Sequence, residues 1–571
     1  MKTIYYLLFI LLFNLVQTGF AQDLTTLREQ KPFQFQGSLE LRGMFYNASG
    51  IQNRMQPFTY LLSGSPTATF YGWTVPMSFA VSRENKSFQQ PFNQYGMSPT
   101  YKWITLHVGH RSVNFSPYTL AGHTMLGGGF ELKPGKLRVG FMYGRLNKAT
   151  VIDTTSQSLV PYAFNRKGFA AKLGYGTNEN YFDLSFLHAK DDSNSVADQL
   201  MPHSDKLFAA ANSVLGYGGK IKLFRRFYFE SDGAISLYTR DLNSPIQFEE
   251  IDDPALQKLS GLIDINGTTE WFLAFSAGVG YMAKNYGLKV AYRRIEPEFK
   301  SMGAYFFTND VENITISPSF TLWAGKIRGT GSLGIEQDNV NLQKTSTTRR
   351  VIGNANVSAD INTQFGIDAY FTNFSNNQRP NTLRFADSLK IVQTTNSLSL
   401  MPRYTILREE VTHMILGTVA RSDMNDYNSY YGADAPSRDI STMQYLLNYN
   451  IGFPKKMLNM YASLNYSDLK SVDLKTSYAG GSVGASYAFL DKKLLTSANC
   501  NIMRGKNQGS HSLIINGSGN LSYTLNKIQT LRASFYWTKN NPGSAVVGGY
   551  PAFAESRGEL AYQINFGLWK K

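Results

Sequence analysis

The sequence predicts an all-β fold, a transmembrane antiparallel up-and-down β-barrel of about 24 strands. Three observations indicate this fold. Apolar and polar residues alternate in runs of about 10 to 15 along most of the chain, as in strands with one apolar and one polar face. Aromatic residues make up 14% of the chain and charged residues only 17%. Short turns also alternate with long loops, which is the organisation of outer-membrane barrels.

The N-terminus has the features of a secretory signal peptide, predicted to span residues 1–21. Lys2 precedes an apolar run from Ile4 to Val16, and small residues lie at the cleavage site before Gln22. Residues 22–32 would form a short periplasmic arm, too short for a plug domain. Because the remaining chain has no apolar run of about 18 residues, a helical span is excluded. We therefore expect residues 33–571 to form a barrel without an N-terminal plug, surrounded by outer-membrane lipid.

The alternation defines each strand in turn. In the first, 33–46, Phe35, Leu39 and Leu41 share one face, while Gln36 and Glu40 share the other. The predicted strands are 33–46, 67–81, 99–109, a short strand ending near 132, 137–147, 166–176, 180–190, 213–223, 226–239, 269–283, 287–296, 311–324, 326–338, 347–361, 365–375, 390–404, 411–422, 440–453, 457–468, 474–489, 493–505, 509–524, 528–539 and 557–569. The connection 83–98 is long where a short turn is expected, and we interpret it as a periplasmic excursion.

The segment 109–130, GHRSVNFSPYTLAGHTMLGGGF, breaks the alternation with three consecutive glycines, a Ser-Pro step and two histidines. A closed ring of about 24 strands is roughly 45 to 50 Å across, too wide for its wall side chains to fill. We therefore predict that 109–130 folds into the lumen, helped by the loops 191–212, 241–268 and 540–556. The predicted constriction or gate consists of His110, Arg111, Asn114, Phe115, Tyr118 and His123.

Histidines are concentrated in this region, where His107, His110 and His123 are three of the seven in the chain. Imidazole is a common zinc ligand, but no cysteine or carboxylate at ligand spacing accompanies these side chains. We expect them to form hydrogen bonds that fix the segment. A triad of Ser116, a histidine and Asn114 is a second alternative, whose geometry the sequence does not give. We predict no catalytic residue, no metal, no other cofactor and no enzymatic activity.

The formal net charge is +15, but the basic residues are dispersed, so nucleic-acid binding is not expected. Orienting each strand with its apolar face outward places charged residues in the lumen. These are Glu40, Arg42, Arg138, Lys172, Lys222, Lys289, Arg293, Arg328 and Arg532. A mildly positive lumen would favour anionic solutes or an acidic partner surface. The alternative is that these charges are paired across strands.

Three stretches resemble a family of large, mostly uncharacterised outer-membrane β-barrels of Bacteroidota. They are YRRIEPEFKSMGAYFFTNDVENIT at 292–315, SPYTLAGH at 116–123 and KPGK at 133–136. The resemblance implies a barrel over most of the mature chain and carries no assigned substrate or catalytic residue. The last strand, with Leu560, Tyr562 and Phe566 on one face, resembles an outer-membrane assembly signal.

Two functions remain open. The first is a transport or export conduit for solutes or macromolecules, occluded by the protein's own loops. The alternative is a structural or scaffold subunit of an envelope protein-export or assembly complex, whose lumen or rim binds a periplasmic or surface partner protein.

Overall fold

The computed structural model describes residues 33–83, 94–150, 163–196, 208–245, 263–304, 309–380, 391–427, 438–472, 474–507, 510–543 and 551–567. The predicted signal peptide, the arm 22–32 and residues 568–571 lie outside these ranges. In the part of the chain that is described, no helix is long and apolar enough to cross a membrane.

The described residues form 28 strand segments in one sheet. The first fourteen are β1 (Gln34–Ser49), β2 (Phe58–Gly64), β3 (Thr67–Phe70), β4 (Trp73–Ser82), β5 (Gln94–Met97), β6 (Thr100–Tyr101), β7 (Ile104–Asn114), β8 (Ala121–Leu132), β9 (Leu137–Asn147), β10 (Asn165–Gly176), β11 (Tyr181–Asp192), β12 (Ala211–Leu223), β13 (Phe227–Thr239) and β14 (Thr269–Met282). The others are β15 (Tyr286–Ile295), β16 (Val311–Leu322), β17 (Ile327–Gln337), β18 (Ser346–Asp360), β19 (Phe365–Pro380), β20 (Ile391–Leu407), β21 (Thr412–Asp426), β22 (Ile440–Phe453), β23 (Leu458–Lys470), β24 (Lys475–Phe489), β25 (Leu494–Asn507), β26 (Ser510–Thr524), β27 (Gln529–Asn541) and β28 (Phe553–Phe566).

Antiparallel pairing of β1 with β28 closes the sheet into a barrel. Segments β2 and β3 both pair with β1 and β4, so they are two pieces of one interrupted strand. Segments β5 and β6 form a second interrupted strand between β4 and β7. The barrel therefore has 26 strands. The all-β, closed antiparallel fold is confirmed, and the predicted count of 24 is wrong.

The predicted strands 67–81 and 99–109 each merge part of a missing strand with its neighbour across a two-residue turn. The first turn is Tyr71 and Gly72, between β3 and β4, and the second is Lys102 and Trp103, between β6 and β7. Tyr71, Gly72 and Lys102 have positive φ angles of 44°, 84° and 49°. A two-residue turn barely interrupts the alternation of apolar and polar residues. Neither turn has the Asn-Gly or Asp-Gly sequence that indicates a tight hairpin.

Prolines explain why these strands are interrupted. Proline has no N–H to donate to a neighbouring strand. In this region the carbonyl groups of Pro66, Pro76 and Pro99 instead accept hydrogen bonds from Met77, Ser98 and Leu106, at 2.8, 3.0 and 2.8 Å. The interrupted strands therefore remain part of the barrel wall, although their prolines indicate turns in the sequence.

The prediction that the long connection 83–98 lies at the short-turn end is also wrong. Residues 94–97 form β5, and the connection that remains leaves β4 at Ser82. Ser82 pairs with Leu61, near the start of β2, so this connection lies at the same end of the barrel as the loop between β1 and β2. With 26 strands, the alternation of short turns and long loops holds through this region.

Opposite faces of each strand differ in polarity. On β23, Met460, Leu464 and Tyr466 share the exposed apolar face, while Ser463 and Asn465 share the other. Aromatic side chains also cross several strands on the apolar face. Phe130, Phe141, Phe169 and Phe186 follow one another across β8 to β11, with ring centroids 5.9, 6.3 and 5.8 Å apart. This row of rings adds to the apolar character of that face.

Candidate functional site: the barrel lumen

The loop 115–120, between β7 and β8, folds into the barrel and identifies its inner face. Thr119 Oγ1 lies 3.1 Å from Ser185 Oγ on β11, and Lys172 Nζ on β10 donates to the Phe115 carbonyl at 3.3 Å. Thr119 and Leu120 are fully buried. The inward segment is therefore shorter than predicted, because most of 109–130 belongs to β7 and β8.

A second inward segment, 296–304, packs against this loop. Ser301 Oγ donates to the Thr119 carbonyl at 2.5 Å, and the Met302 N–H donates to Asn212 Oδ1 at 2.9 Å. The Phe299 ring is fully buried and meets Tyr118 edge-on, with centroids 6.0 Å apart. At Gly303 a Cβ atom would lie 2.7 Å from the Thr119 carbonyl oxygen, so only glycine fits there. Sequence analysis did not single out this segment for the lumen.

Apolar side chains from both segments and from β7 to β16 form one buried core. Its members are Val113, Phe115, Tyr118, Leu120, Met125, Met142, Leu146, Ala170, Leu187, Ala189, Ala210, Val214, Ala234, Ala274, Ile295, Phe299, Met302 and Val311. In the described residues of β19 to β27, by contrast, no side chain is buried. The described core therefore fills one side of the lumen.

The six residues of the predicted gate do not act as one group. Phe115 and Tyr118 lie in the inward loop. Arg111 and His123 lie on the inner face, where Arg111 donates to Ser78 Oγ at 3.1 Å and His123 Nδ1 lies 3.1 Å from the Thr124 carbonyl.

Two of the six do not take the predicted place. His110 pairs with Leu126, on the face opposite to Arg111, and its ring contacts Tyr95 edge-on at 5.2 Å. This face is the outer one, so His110 does not line the lumen. Asn114 is exposed at the end of β7, where it pairs with Ala121 beyond a β-bulge. Alternation along β7 does predict the outward position of His110, whereas the bulge between Ser112 and Asn114 interrupts the alternation before Asn114.

Directly paired residues of antiparallel strands share a face, so the inner face can be followed from Ser185 around the barrel. The register places all nine predicted lumen-facing charges on this face. Each of the eight basic residues among them has an acidic partner within 4 Å. The pairs are Arg42–Glu40 (2.6 Å), Arg138–Asp183 (3.2 Å), Lys172–Asp183 (2.8 Å), Lys222–Glu179 (3.2 Å), Lys289–Glu230 (2.5 Å), Arg293–Glu336 (3.7 Å), Arg328–Asp360 (3.0 Å) and Arg532–Glu40 (3.5 Å). Glu40 lies on the same strand as Arg42, but Arg42 also lies 3.8 Å from Glu559 on β28. Charge pairing, the second alternative, therefore describes these residues.

A chain of hydrogen bonds that sequence analysis missed crosses the inner face near the short-turn end. Ser98 Oγ lies 3.0 Å from His107 Nδ1, and His107 Nε2 lies 3.2 Å from Glu131 Oε1. The chain ties the interrupted strand β5/β6 to β7 and β8. In hydrolase triads the serine contacts Nε2 and the carboxylate contacts Nδ1. Here Ser98 contacts Nδ1 and Glu131 contacts Nε2. Among the described residues, no group of three His, Cys, Asp or Glu side chains is arranged to hold a metal ion.

The opposite wall of the lumen, the inner face of β21 to β26, is polar but almost free of charge. Its described residues include no lysine, arginine or glutamate, and one aspartate, Asp426, at the long-loop end of β21. Ser463 Oγ lies 2.5 Å from Ser482 Oγ, and Asn516 Nδ2 donates to Asn501 Oδ1 at 3.3 Å. We call this surface the uncharged wall.

No family model and no curated protein matches the sequence. Among solved structures, the chain is similar to OccAB2 of Acinetobacter baumannii, with 10% identity over 63% of this chain and 92% of that one, at a TM-score of 0.29. The FrpB iron transporter of Neisseria meningitidis is 10% identical over 95% and 83% of the two chains, at a TM-score of 0.39. The copper transporter OprC is 9% identical over 94% and 81%, at a TM-score of 0.42. At these TM-scores the similarities carry no argument about function.

Proposed function

We propose that this protein is an outer-membrane β-barrel that serves as a conduit for polar solutes. One side of the lumen is filled by the protein's own loops, and solutes pass along the uncharged wall on the other side. The observation that carries the proposal is the contrast between the two faces of β21 to β26.

The outer face of these strands fits lipid. Leu464 is 66% exposed and Val483 61% exposed, and Leu447 lies beside Leu464 on the next strand. Exposed apolar surface that continues across many strands is costly in water and favourable in a bilayer. The short turns, the start of β1 and the end of β28 would then face the periplasm. The long loops would lie outside the cell.

The inner face of the same strands fits water. Serine, threonine and asparagine need hydrogen bonds, which a lumen filled with water supplies. A closed barrel whose inner wall is wet along its length is the architecture of a porin. Within the inward loops, the buried contacts of Thr119 and Phe299 indicate a fixed filling of one side of the lumen. No described feature favours the scaffold function or an enzymatic one.

We expect the full-length protein, reconstituted into liposomes, to make them permeable to glucose in an osmotic swelling assay. Placing Asn501→Trp and Asn516→Trp together on the uncharged wall should slow swelling several-fold, because two indole rings would narrow the passage. The matched control is Ile502→Trp on the outer face, where Ile502 is 50% exposed; it should swell at the wild-type rate. Liposomes that remain as tight as protein-free ones would contradict the conduit.

A further inference from the structure

The uncharged wall differs from the remaining inner face in chemistry as well as in accessibility. On the filled side, carboxylates such as Asp183 and Glu336 are buried among basic residues. Across the six strands β21 to β26, serine, threonine and asparagine are the commonest inner side chains, and β21 also carries Met414, Leu416 and Met424 there. A charged solute in contact with this wall finds no opposite charge to replace the water molecules that the contact displaces, whereas a neutral polar solute needs none.

The amides of the uncharged wall keep hydrogen-bonding capacity for a solute. Asn499 Nδ2 donates to Ser518 Oγ at 2.6 Å, and Asn520 Nδ2 donates to Ser497 Oγ at 3.3 Å. An asparagine side chain has two donors and a carbonyl oxygen with two acceptor sites, so one such bond leaves others available. None of these side chains is buried. The wall therefore presents both donors and acceptors to whatever occupies the lumen.

Two tyrosines add flat apolar surface to the same wall. Tyr461 on β23 pairs with Gly484, and Tyr478 on β24 pairs with Gly505. At each glycine the tyrosine ring occupies the place that a Cβ atom would take, so the ring lies across the neighbouring strand. Each tyrosine remains 37% exposed. A ring that lies along the wall presents its face to the lumen.

We propose that the conduit is selective for uncharged, hydroxyl-rich solutes, and specifically for neutral oligosaccharides. Sugar hydroxyls both donate and accept hydrogen bonds and match the amides and hydroxyls of the wall. The C–H face of a pyranose ring packs on an aromatic face such as that of Tyr461 or Tyr478. This inference rests on the proposed conduit function and names its class of substrate.

The test compares two trisaccharides of equal length, neutral maltotriose and acidic trigalacturonate. Both are encapsulated together in liposomes that contain the full-length protein, and their release is followed by chromatography. We expect maltotriose to leave several-fold faster. Tyr461→Ala combined with Tyr478→Ala should lower the ratio of the maltotriose release rate to the trigalacturonate release rate several-fold. Tyr445→Ala, on the outer face of β22 and 46% exposed, should leave it unchanged.

A charge placed on the wall gives an independent variant. Ser482→Lys should raise the release of trigalacturonate relative to maltotriose, because it supplies the missing positive charge. Equal release of the two sugars by the wild-type protein, or faster release of the acid, would overturn the selectivity while leaving the conduit intact. Release of neither sugar above protein-free liposomes would overturn the conduit itself. A difference in gel mobility between heated and unheated samples, equal to that of the wild-type protein, checks that each variant is folded.

Discussion

Replacing Phe299 with alanine should lower the free energy of unfolding by about 3–5 kcal/mol, the usual range for a buried phenylalanine. Phe299 is fully buried and is the largest of the fully buried side chains among the described residues. Its ring holds the segment 296–304 against Tyr118 of the inward loop. Truncation leaves a cavity where the two segments meet. Urea unfolding of the protein in detergent micelles, followed by tryptophan fluorescence, measures the loss.

The same substitution should speed the swelling of liposomes in glucose, because a loosened segment fills less of the lumen. Phe371→Ala is the matched control, since Phe371 lies on the outer face of β19 and is 41% exposed. We expect a smaller loss of stability and no change in swelling for this control. Equal losses for the two variants would show that the inward segments are not a packed core.

Introducing arginine at Leu464 should destabilise the membrane-embedded protein by about 2–4 kcal/mol, the cost of a basic residue near the bilayer midplane on a lipid-facing strand. Leu464 lies in the middle of β23 on the outer face. Ser463→Arg, one residue earlier on the inner face, should cost far less because water is available to its guanidinium. Reversible unfolding by guanidinium in phospholipid vesicles measures both. A larger cost at 463 than at 464 would reverse the assignment of the two faces.

Much of this fold follows from alternation alone. From β9 onward, each strand has its own run of alternating apolar and polar residues. A shift of the strand register by one residue would move every side chain of that strand to the opposite face, so the alternation fixes the register. The two strands that prediction missed, β2/β3 and β5/β6, are short, carry prolines and join their neighbours through two-residue turns. Proline carbonyls in this region accept hydrogen bonds from the next strand, which the alternation of apolar and polar residues does not indicate.

The site was predictable only in part. The break in alternation around Ser116-Pro117 indicated an inward loop correctly, because the strand pattern stops there and β7 ends at Asn114. His110 was misplaced because the whole segment 109–130 was predicted to leave the wall, whereas His110 belongs to β7, where the register puts it on the outer face. The inward position of the segment 296–304 was not predicted, because it depends on contacts with residues far away in the sequence. Phe299 contacts Tyr118, and the Met302 N–H donates to Asn212 Oδ1.

The central claim is that the inner face of β21 to β26 borders water and the outer face borders lipid, and adjacent cysteines test it most directly. The single native cysteine, Cys500, lies on the outer face of β25 and is first replaced by serine. Ser482→Cys and Val483→Cys are then introduced separately and exposed, in liposomes, to a charged methanethiosulfonate that reacts only in water. We predict rapid modification at 482 and none at 483. Equal modification at both positions, or modification at 483 alone, would contradict the account.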